Sequence, residues 1–482
     1  MSDWRDAVLV GVRPLFGAEA ATAADDAGDP TAAPSAVWAG HGRIGRADVV
    51  VAAWDFTVRG GSFGDAEATV FTAACAEAAA TRRPLVSLLR SGGTRLQEGM
   101  RALVGIPRAM LALQQVAAAG VPHVAVADQP TTGGVWVAVG STADIRAGVA
   151  GATVGFSGPR VIEAMTGVAV PRGTNTAESA LTAGLLDVVL APEQLATWLE
   201  QVLLTLRPDD PRDTAQPPPV AVPDRSAWEQ VQLSRSVERP SGSELVDDLL
   251  GTDRDTDDGD DGMPVWLRGA DDSVAVAIGR LDGRRVVAVA LTGRRAGRAS
   301  PAGYELLARA ARLADRLDLA CIVLVDTAGA DPLPVSEQAG IAPAIAAATD
   351  TLLRCGAPTI AVVHGEGGSG GALAGAVTDC VAVGDLGWFA ALGPEGAAAT
   401  LRVTPAEAAD LLGLAPRDLL ASGFADALAP ADERALREWL AARLDGLRAQ
   451  PREERLARRR RRWSSALPGS SGNVPGGDPD IA

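Results

Sequence analysis

Short apolar runs alternate along the chain with longer segments whose apolar residues recur on one helical face. Apolar runs occur at residues 47–53, 84–89, 123–127, 274–278, 285–291 and 321–325, and helical patterns occur at 65–81, 100–119, 226–236, 302–317 and 433–448. Runs of four to eight apolar residues fit buried strands, whereas spacings of three and four fit amphipathic helices. This alternation predicts an α/β protein with a mostly parallel sheet and loops gathered at the strand ends.

A glycine-rich turn follows one of these apolar runs. The segment 359–363 leads into His364–Ala372, and small residues continue to Val377. Glycines between a strand and a helix leave bare backbone N–H groups that a ligand can approach closely. Such a turn can hold an oxyanion without a charged side chain, although a tight packing corner is the alternative interpretation.

A similar turn occurs earlier, in the segment Pro130–Val135. Each turn is preceded by a Gly-X-Pro sequence and an apolar run, and each is followed by a Gly-Pro pair, at residues 158–159 and 393–394. A shared order of loop, strand, glycine turn and Gly-Pro predicts an internal repeat on a domain scale. Chance similarity between two Ala/Gly-rich segments is the alternative.

Changes in composition suggest boundaries between segments. The predicted organisation is a low-complexity, poorly ordered leader (1–36), a first domain (37–206), a Pro-rich linker (207–224), a second domain (225–450) and a basic, Gly/Pro-rich tail (451–482). The second domain holds an acidic segment, 247–262, with eight aspartates, interpreted as a solvated, flexible insert rather than a metal cage. The arginine run 458–462 is interpreted as a solvated helix end, with binding of phosphate or acidic partners as the alternative.

Length and charge narrow the class of protein. The 482 residues suffice for two domain-sized cores, and the net charge of −16 argues against broad nucleic-acid binding. No apolar run has the length of a membrane span and the start lacks a signal-peptide pattern, so we expect a cytoplasmic protein without a membrane partner. The four cysteines lack CxxC spacing and are expected to be buried apolar residues rather than zinc ligands or disulfides.

The chain contains no lysine, since all 44 basic residues are arginine. This excludes a P-loop, a Schiff-base enzyme and a lysine-tethered biotin or lipoyl group in this chain. The three histidines also argue against a multi-histidine metal site. We therefore expect neither a covalent cofactor nor a metal.

Several motifs together resemble the carboxyltransferase component of acetyl-CoA carboxylase. The first half is similar to the bacterial beta subunit at residues 55–64, 91–98, 130–134 and 158–163. The second half is similar to the alpha subunit at residues 228–235, 239–240, 292–294, 301–304, 326–340, 365–373 and 393–396. The resemblance covers about residues 37–450, in the beta-then-alpha order of fused forms.

The resemblance implies two tandem crotonase-like (ββα-superhelix) domains. It also implies that carboxybiotin, carried on a separate biotin carboxyl carrier protein and charged by biotin carboxylase, gives its carboxyl group to acetyl-CoA. The product is malonyl-CoA for fatty acid biosynthesis, and a homodimer or larger even assembly is expected.

Three sets of site residues follow from the resemblance. The catalytic oxyanion holes are Gly133 and Gly134 for the thioester, and Gly370 and Gly371 for biotin. The acyl-CoA contacts are Gly60, Gly61, Ser91, Gly92, Gly93, Arg95, Gly158 and Pro159. The carboxybiotin contacts are Gly329, Gly367, Gly368, Ser369, Gly393, Pro394, Glu395 and Gly396.

The sequence departs from the family pattern in several places. The beta subunit's four-cysteine zinc ribbon is absent, the biotin-side loop is altered at Thr327–Leu333, Thr94 replaces an alanine, and an arginine is missing near residues 173–176. Two other functions remain open. Biotin-independent malonate decarboxylase has beta and gamma subunits of this fold, and the altered loop also allows a carboxylase-like scaffold subunit without turnover.

Overall fold

The computed structural model describes residues 4–15, 35–211, 219–236, 238–251, 263–292 and 298–465. Several predicted features therefore lie outside the described residues. These are most of the leader, the centre of the linker, residues 252–262 of the acidic insert, residues 293–294 of one family motif and the tail beyond residue 465.

The described residues of the first half form eight strands and seven α-helices. The strands are β1 Val12–Pro14, β2 Val37–Ile44, β3 Ala47–Trp54, β4 Leu85–Ser91, β5 His123–Thr132, β6 Ile145–Val149, β7 Val154–Gly155 and β8 Val188–Leu190. The helices are α1 Trp4–Leu9, α2 Asp65–Thr81, α3 Met100–Ala118, α4 Gly133–Val135, α5 Pro159–Thr166, α6 Ala177–Thr182 and α7 Leu195–Thr205. The predicted strands and helices of this half are confirmed.

The second half repeats this order with additional helices. Its strands are β9 Val265–Leu267, β10 Val274–Leu281, β11 Arg284–Thr292, β12 Ala320–Thr327, β13 Thr359–Gly368, β14 Cys380–Gly384, β15 Trp388–Ala390 and β16 Ala427–Ala429. Its helices are α8 Ala227–Ser234, α9 Gly242–Leu250, α10 Pro301–Leu317, α11 Pro334–Gln338, α12 Ile341–Arg354, α13 Ser369–Ala376, α14 Pro394–Leu401, α15 Pro405–Leu412, α16 Pro416–Ala421, α17 Glu433–Arg448 and α18 Arg452–Ser464.

Two sheets of the same topology confirm the predicted repeat. One has the order β1-β2-β3-β4-β5-β6-β8 with β7 beside β5, and the other has β9-β10-β11-β12-β13-β14-β16 with β15 beside β13. In both sheets the central pairs, β4–β5 and β12–β13, are parallel. Their carboxyl ends therefore carry loops of the kind that form sites in α/β proteins.

Local sequence explains how the loop after β3 enters α2. Glu67, at the third position of α2, accepts the N–H of Gly64 at 2.9 Å and the N–H of Ala36 at 2.8 Å. This satisfies an N–H at the helix start that has no partner within the helix. The inner face of α2 then buries Phe71, Ala74 and Cys75 against the sheet.

Contacts divide the chain into two compact units. One comprises Met1–Pro211, Leu250–Val287 and Leu313–Leu319, and the other comprises Arg212–Leu249, Ala288–Arg312 and Ala320–Ala482. The assignment of separate functions to residues 37–206 and 225–450 stays a prediction.

The beginning of the leader is ordered, which corrects one expectation. Residues 4–15 form α1 and β1, and the buried Arg5 guanidinium donates to the carbonyls of Trp54 at 2.5 Å and Leu88 at 3.0 Å. The Trp4 indole donates to Asp128 at 3.2 Å. The low-complexity sequence did not predict α1 and β1, because a few contacts rather than a long periodic pattern hold them in place.

Two further expectations need correction. The first residues of the acidic insert, Asp247 and Asp248, belong to α9 rather than to a flexible segment. The arginine run does not form a solvated helix end, because α18 buries Arg459 and pairs it with Asp379, with Nη2 and Oδ2 2.6 Å apart. Periodicity alone could not show that α18 has a buried arginine face.

The cysteines lie in the core as predicted. Cys75, Cys321, Cys355 and Cys380 are all buried, and none of the four forms a disulfide. Within the described ranges, no helix combines the length and hydropathy needed to cross a membrane. In the same ranges, no three His, Cys, Asp or Glu side chains lie together in a way that could hold a metal ion.

Candidate active site

The first glycine turn lies where β5 ends and a helical segment begins. Gly133 has a φ of +65°, which glycine adopts without a steric cost, and its N–H donates to the Phe156 carbonyl at 2.9 Å. Gly134 follows within the first turn of this segment, where the helix itself supplies no acceptor for its N–H. The N–H of Gly134 is therefore the better candidate for a ligand.

The loop after β4 lies against this turn. Gly93 has a φ of +111°, and its N–H donates to the Ser91 hydroxyl at 3.1 Å. A Cβ on Gly133 would lie 2.9 Å from the Gly93 Cα, so the two backbones approach too closely for a side chain at residue 133. Ser91 pairs with Thr131 across the sheet, which fixes this approach.

Arg95 braces the loop from within. Its guanidinium donates to Glu67 at 2.6 Å, to Glu98 at 3.0 Å and to the Ser62 carbonyl at 2.7 Å, and the residue is 3% exposed. Because these donors point to protein acceptors, the structure favours a bracing role for Arg95 over direct contact with acyl-CoA.

The other predicted acyl-CoA residues border the same two loops. The Gly92 N–H donates to the Gly60 carbonyl at 3.0 Å, and Gly60 and Gly61 both have positive φ. Gly158 precedes Pro159 at the start of α5, and a Cβ on Gly158 would lie 3.9 Å from the Thr132 methyl group. The structure thus gathers this predicted set at the carboxyl ends of β4 and β5.

The second glycine turn lies where β13 meets α13. Ser369 has a φ of +57°, an uncommon conformation for a residue with a side chain. In the loop after β12, Gly329 has a φ of +119°, and its N–H donates to the Thr327 hydroxyl at 3.2 Å. A Cβ on Gly329 would lie 3.0 Å from the Gly368 carbonyl oxygen, so this loop also lies tightly against its turn.

The registers of the two sheets show which residues of the turns correspond. Ser91 pairs with Thr131, and Thr327 pairs with Gly367, so both pairs are displaced by 236 positions. Gly133 therefore corresponds to Ser369, and Gly134 corresponds to Gly370. The pair predicted at Gly370 and Gly371 is one residue out of register with the pair predicted at Gly133 and Gly134.

Gly371 has a different environment from Gly370. A Cβ on Gly371 would lie 2.6 Å from the Tyr304 hydroxyl and would also collide with the Ala330 nitrogen. A Cβ on Gly370 would have no neighbour within 4 Å among the described residues. Gly371 is thus required for packing, whereas Gly370 faces open space.

An ion-pair network adjoins the second turn. Arg235, at the end of α8, donates through Nε to Glu366 of β13 at 2.7 Å and through Nη2 to Glu395 of α14 at 3.2 Å. The hydrogen bond from Arg235 lowers the pKa of Glu395, and the same bond raises the pKa of Arg235, so the group remains charged. Glu395 was predicted from its motif, but its arginine partner was not.

A second arginine, Arg239, contacts residues of β12 and β13. Arg239 pairs with Asp326 at 2.5 Å and donates to His364 Nδ1 at 2.9 Å. Burial, opposed by the Asp326 charge and aided by the Arg239 charge, lowers the pKa of His364 to about 4. His364 is therefore neutral near pH 7. Spacing gave no signal for this contact, because 125 residues separate the two side chains.

The remaining biotin-side residues fall into two places. Gly367 and Gly368 end β13 and pair with Phe389 and Ala390 of β15. Gly393, Pro394, Glu395 and Gly396 open α14, which corresponds to the Gly158–Pro159 start of α5.

Comparison with known proteins identifies the family. A family model described as acetyl co-enzyme A carboxylase carboxyltransferase-like matches residues 222–466. A protein of Salinispora tropica named acetyl-coenzyme A carboxylase carboxyl transferase subunits beta/alpha is 35% identical over 479 residues, which cover 90% of this chain and 82% of that protein. The chain belongs to the acetyl-CoA carboxylase carboxyltransferase family.

Other relatives agree with this carboxyltransferase family. A Mycobacterium bovis protein named probable biotin-dependent acyl-coenzyme A carboxylase beta3 subunit is 36% identical over 472 residues, covering 94% of this chain and 91% of that protein. The chain is accordingly a carboxyltransferase subunit of the biotin-dependent acyl-CoA carboxylase type. The resemblance found in the sequence is confirmed.

Solved structures share the fold of this carboxyltransferase. Transcarboxylase 12S, described as a hexamer with methylmalonyl-coenzyme A and methylmalonic acid bound, matches with a TM-score of 0.76 at 22% identity, over 93% of this chain and 89% of that chain. A single-chain, multi-domain long-chain acyl-CoA carboxylase matches with a TM-score of 0.69 at 18% identity, over 91% of this chain and 45% of that chain. At these identities the likeness concerns the fold alone.

Proposed function

We propose that this chain transfers the carboxyl group of carboxybiotin, held on a separate carrier protein, to acetyl-CoA and so forms malonyl-CoA for fatty acid synthesis. The observation that carries the proposal is the pair of corresponding turns, one in each half, with Gly134 and Gly370 at the same position. A reaction that develops negative charge on two different substrates needs two such turns.

The first turn suits the thioester. When the α-carbon of acetyl-CoA loses a proton, negative charge develops on the thioester oxygen, and a backbone N–H directed at that oxygen stabilises it. Gly134 supplies this N–H, and Gly93 and Gly133 keep the approach clear because neither has a side chain. The Arg95, Glu67 and Glu98 cluster holds the loop in place rather than touching the substrate.

The second turn suits the biotin ureido group. As the carboxyl group leaves as CO₂, negative charge develops on the ureido oxygen, and we assign its stabilisation to the Gly370 N–H. We assign the hole to Ser369 and Gly370, because these residues correspond to Gly133 and Gly134 in the registers of the two sheets. The open space beside Gly370 fits an approaching ring.

The two half-reactions balance without a protein base. The bond between the ureido nitrogen and the carboxyl carbon breaks, and CO₂ is released next to the thioester. The ureido nitrogen then accepts the α-proton, and the resulting enolate forms the new carbon–carbon bond to CO₂. His364 is not needed as a base, and its low pKa keeps it neutral beside Arg239.

The loop after β12 favours catalysis over a scaffold role. Thr327–Leu333 departs from the family sequence, but Gly329 has the same backbone conformation as Gly93 and the same type of hydrogen bond to a hydroxyl two residues earlier. The altered residues therefore leave the turn built as in the other half. The family match likewise supports a carboxylase over a malonate decarboxylase.

The proposal includes the partners that the reaction requires. These are a biotin carboxyl carrier protein, a biotin carboxylase that charges it, and a second copy of this chain in a dimer or larger even assembly. We place the protein in the cytoplasm, where its substrates are made, and propose no resident metal or covalent cofactor.

A carboxylation assay tests this function. The purified chain is mixed with carboxylated carrier protein and, in separate reactions, with acetyl-CoA, propionyl-CoA and a long-chain acyl-CoA. We expect carrier-dependent product with the highest kcat/KM for acetyl-CoA. Preference for another acyl-CoA would overturn the substrate assignment alone, and carrier-independent decarboxylation of a malonyl thioester would favour the malonate decarboxylase alternative.

A further inference from the structure

A cavity of about 420 Å³ lies in the second unit, beside the start of β14 and between α17 and α18. Its charged lining consists of Asp379, Asp426, Arg443, Arg458, Arg459 and Arg462. This volume falls within the range of small-molecule sites in proteins. The charges that line it, rather than its size, indicate what it could bind.

Two of the four arginines are neutralised within the protein. Arg459 pairs with Asp379, with Nε and Oδ1 2.9 Å apart, and also donates to the Cys355 carbonyl at 2.5 Å. Arg462 pairs with Asp426, with Nη1 and Oδ2 2.5 Å apart. Both carboxylates of the lining are therefore paired with an arginine.

The positive charges of the other two arginines, Arg443 and Arg458, are not neutralised by a carboxylate of the described residues. In the part of the chain that the structure describes, neither Arg443 nor Arg458 has a carboxylate partner. Arg443 lies over the Trp439 ring with its guanidinium carbon 5.3 Å from the ring centroid, which orients the side chain without neutralising it. The cavity thus carries a net charge of about +2 in a chain whose net charge is −16.

The rest of the lining does not repel an anion. Burial, with a smaller effect of Asp426, raises the pKa of the Cys380 thiol to about 11 although the nearby arginines oppose the shift, so the thiol is neutral near pH 7. Ala442 and Leu447 add an apolar wall. A charged group beside an apolar wall fits a phosphate attached to a small organic body.

We propose that this cavity binds the phosphate group of a small phosphorylated metabolite through Arg443 and Arg458. Guanidinium groups offer several N–H donors in a planar fork that matches phosphate oxygens. The cavity adjoins Cys380, the first residue of β14, whereas the second glycine turn follows the carboxyl end of the neighbouring β13. A ligand here would therefore bind without displacing either substrate.

Calorimetric titration of the full-length chain tests the site. The probes are inorganic phosphate and adenosine monophosphate, titrated separately at constant ionic strength, because they distinguish a bare phosphate from one on an organic body. The variants are Arg443→Gln and Arg458→Gln, which remove the charge but keep most of the side chain. Arg460→Gln is the matched control, since Arg460 lies on the same helix, is exposed and is not part of the lining.

We expect one phosphate-bearing ligand per chain, with affinity reduced about tenfold or more by each cavity variant and unchanged by the control, since a charged hydrogen bond is lost. Binding of adenosine monophosphate alone would mean that the apolar wall contributes, and equal binding of both probes would mean that the phosphate suffices. The proposal is overturned if neither probe binds, or if all three variants weaken binding equally.

Discussion

Gly93 and Gly329 occupy corresponding places in the two halves of the chain and share one backbone conformation. Their φ values are +111° and +119°, and each N–H donates to a hydroxyl two residues earlier, Ser91 for the first and Thr327 for the second. Each glycine also lies against the turn that follows the neighbouring strand. The repeat therefore extends beyond the sheets to the geometry of the loops.

This correspondence separates two roles among neighbouring glycines. Gly134 and Gly370 share a position at the helix start, whereas Gly371 corresponds to Val135, whose side chain is buried in the first core. The absence of a side chain at residue 371 leaves room for the nearby Tyr304 and Ala330.

Gly134→Ala should destabilise the first unit. Its Cβ would lie 2.6 Å from Ile106 Cδ1 and 2.9 Å from the Thr94 hydroxyl, and such overpacking costs about 1–3 kcal/mol. The double variant Gly134→Ala/Ile106→Val, which lacks Cδ1, should regain much of this stability. Urea unfolding measures the effect, with Ile106→Val alone as the control. Equal stability of the single and double variants would contradict the packing account.

Arg459→Met should destabilise the second unit strongly. The change leaves the buried Asp379 without its ion-pair partner and removes donors to the carbonyls of Leu352 and Cys355 at the end of α12. Removing one member of a buried ion pair costs about 3–5 kcal/mol. Thermal and urea unfolding should show this loss, whereas Arg460→Met, at an exposed position of the same helix, should change stability by less than about 0.5 kcal/mol. Similar stability of the two variants would restore the view of α18 as a solvated helix end.

Burial of neutral His123 should make the protein less stable as the pH falls. Burial, with the Arg316 charge, lowers the pKa of His123 to about 3, and its Nε2 lies 2.9 Å from the Ser87 hydroxyl. Between pH 3 and about 6.5, His123 is protonated in the unfolded chain but neutral in the folded chain. The stabilisation present above about pH 6.5 is therefore lost as the pH falls. The loss approaches about 1.4 kcal/mol per pH unit in this window.

A titration of stability checks this expectation. Urea unfolding is measured between pH 7 and pH 5 for the protein and for His123→Gln, whose amide can still bond to Ser87. The advantage of the parent protein should shrink as the pH falls. A constant difference between the two proteins across this range would contradict the burial of a neutral His123.

The sequence was sufficient for the fold because its signals are local and repeated. Apolar runs at residues 47–53 and 321–325 could only be strands in this context, and the glycine turns after 127 and 363 marked the same corner twice. The helix predicted near residues 433–448 is observed at Glu433–Arg448, because its apolar residues recur on one face.

The missed features depend on contacts between distant residues. No spacing rule connects Arg235 to Glu366, or Arg5 to the carbonyl of Leu88, because the partners meet only when the sheet has formed. The register between Gly134 and Gly370 was missed for another reason. Ser369 adopts a positive φ that favours glycine, so a search for Gly-Gly pairs leads to Gly370 and Gly371 rather than to the residues that correspond to Gly133 and Gly134.

The most direct test of the central claim compares the partial reactions of the Gly370→Ala variant with those of the parent protein. The added Cβ meets no described neighbour within 4 Å, so the variant should fold normally while the methyl group occupies the space beside the N–H proposed to hold the ureido oxygen. Gly446→Ala, which also adds a methyl group in open space but on α17, is the control.

The measured quantity is the decarboxylation of carboxybiotin on its carrier, without and with acetyl-CoA, for variants whose circular dichroism matches that of the parent. Loss of a donor to a developing oxyanion typically costs 10²–10³-fold in rate, so we expect both reactions of Gly370→Ala to fall by about that factor and those of Gly446→Ala to be unchanged. A folded Gly370→Ala variant that decarboxylates carboxybiotin at the parent rate would contradict the assignment of this turn to the biotin substrate.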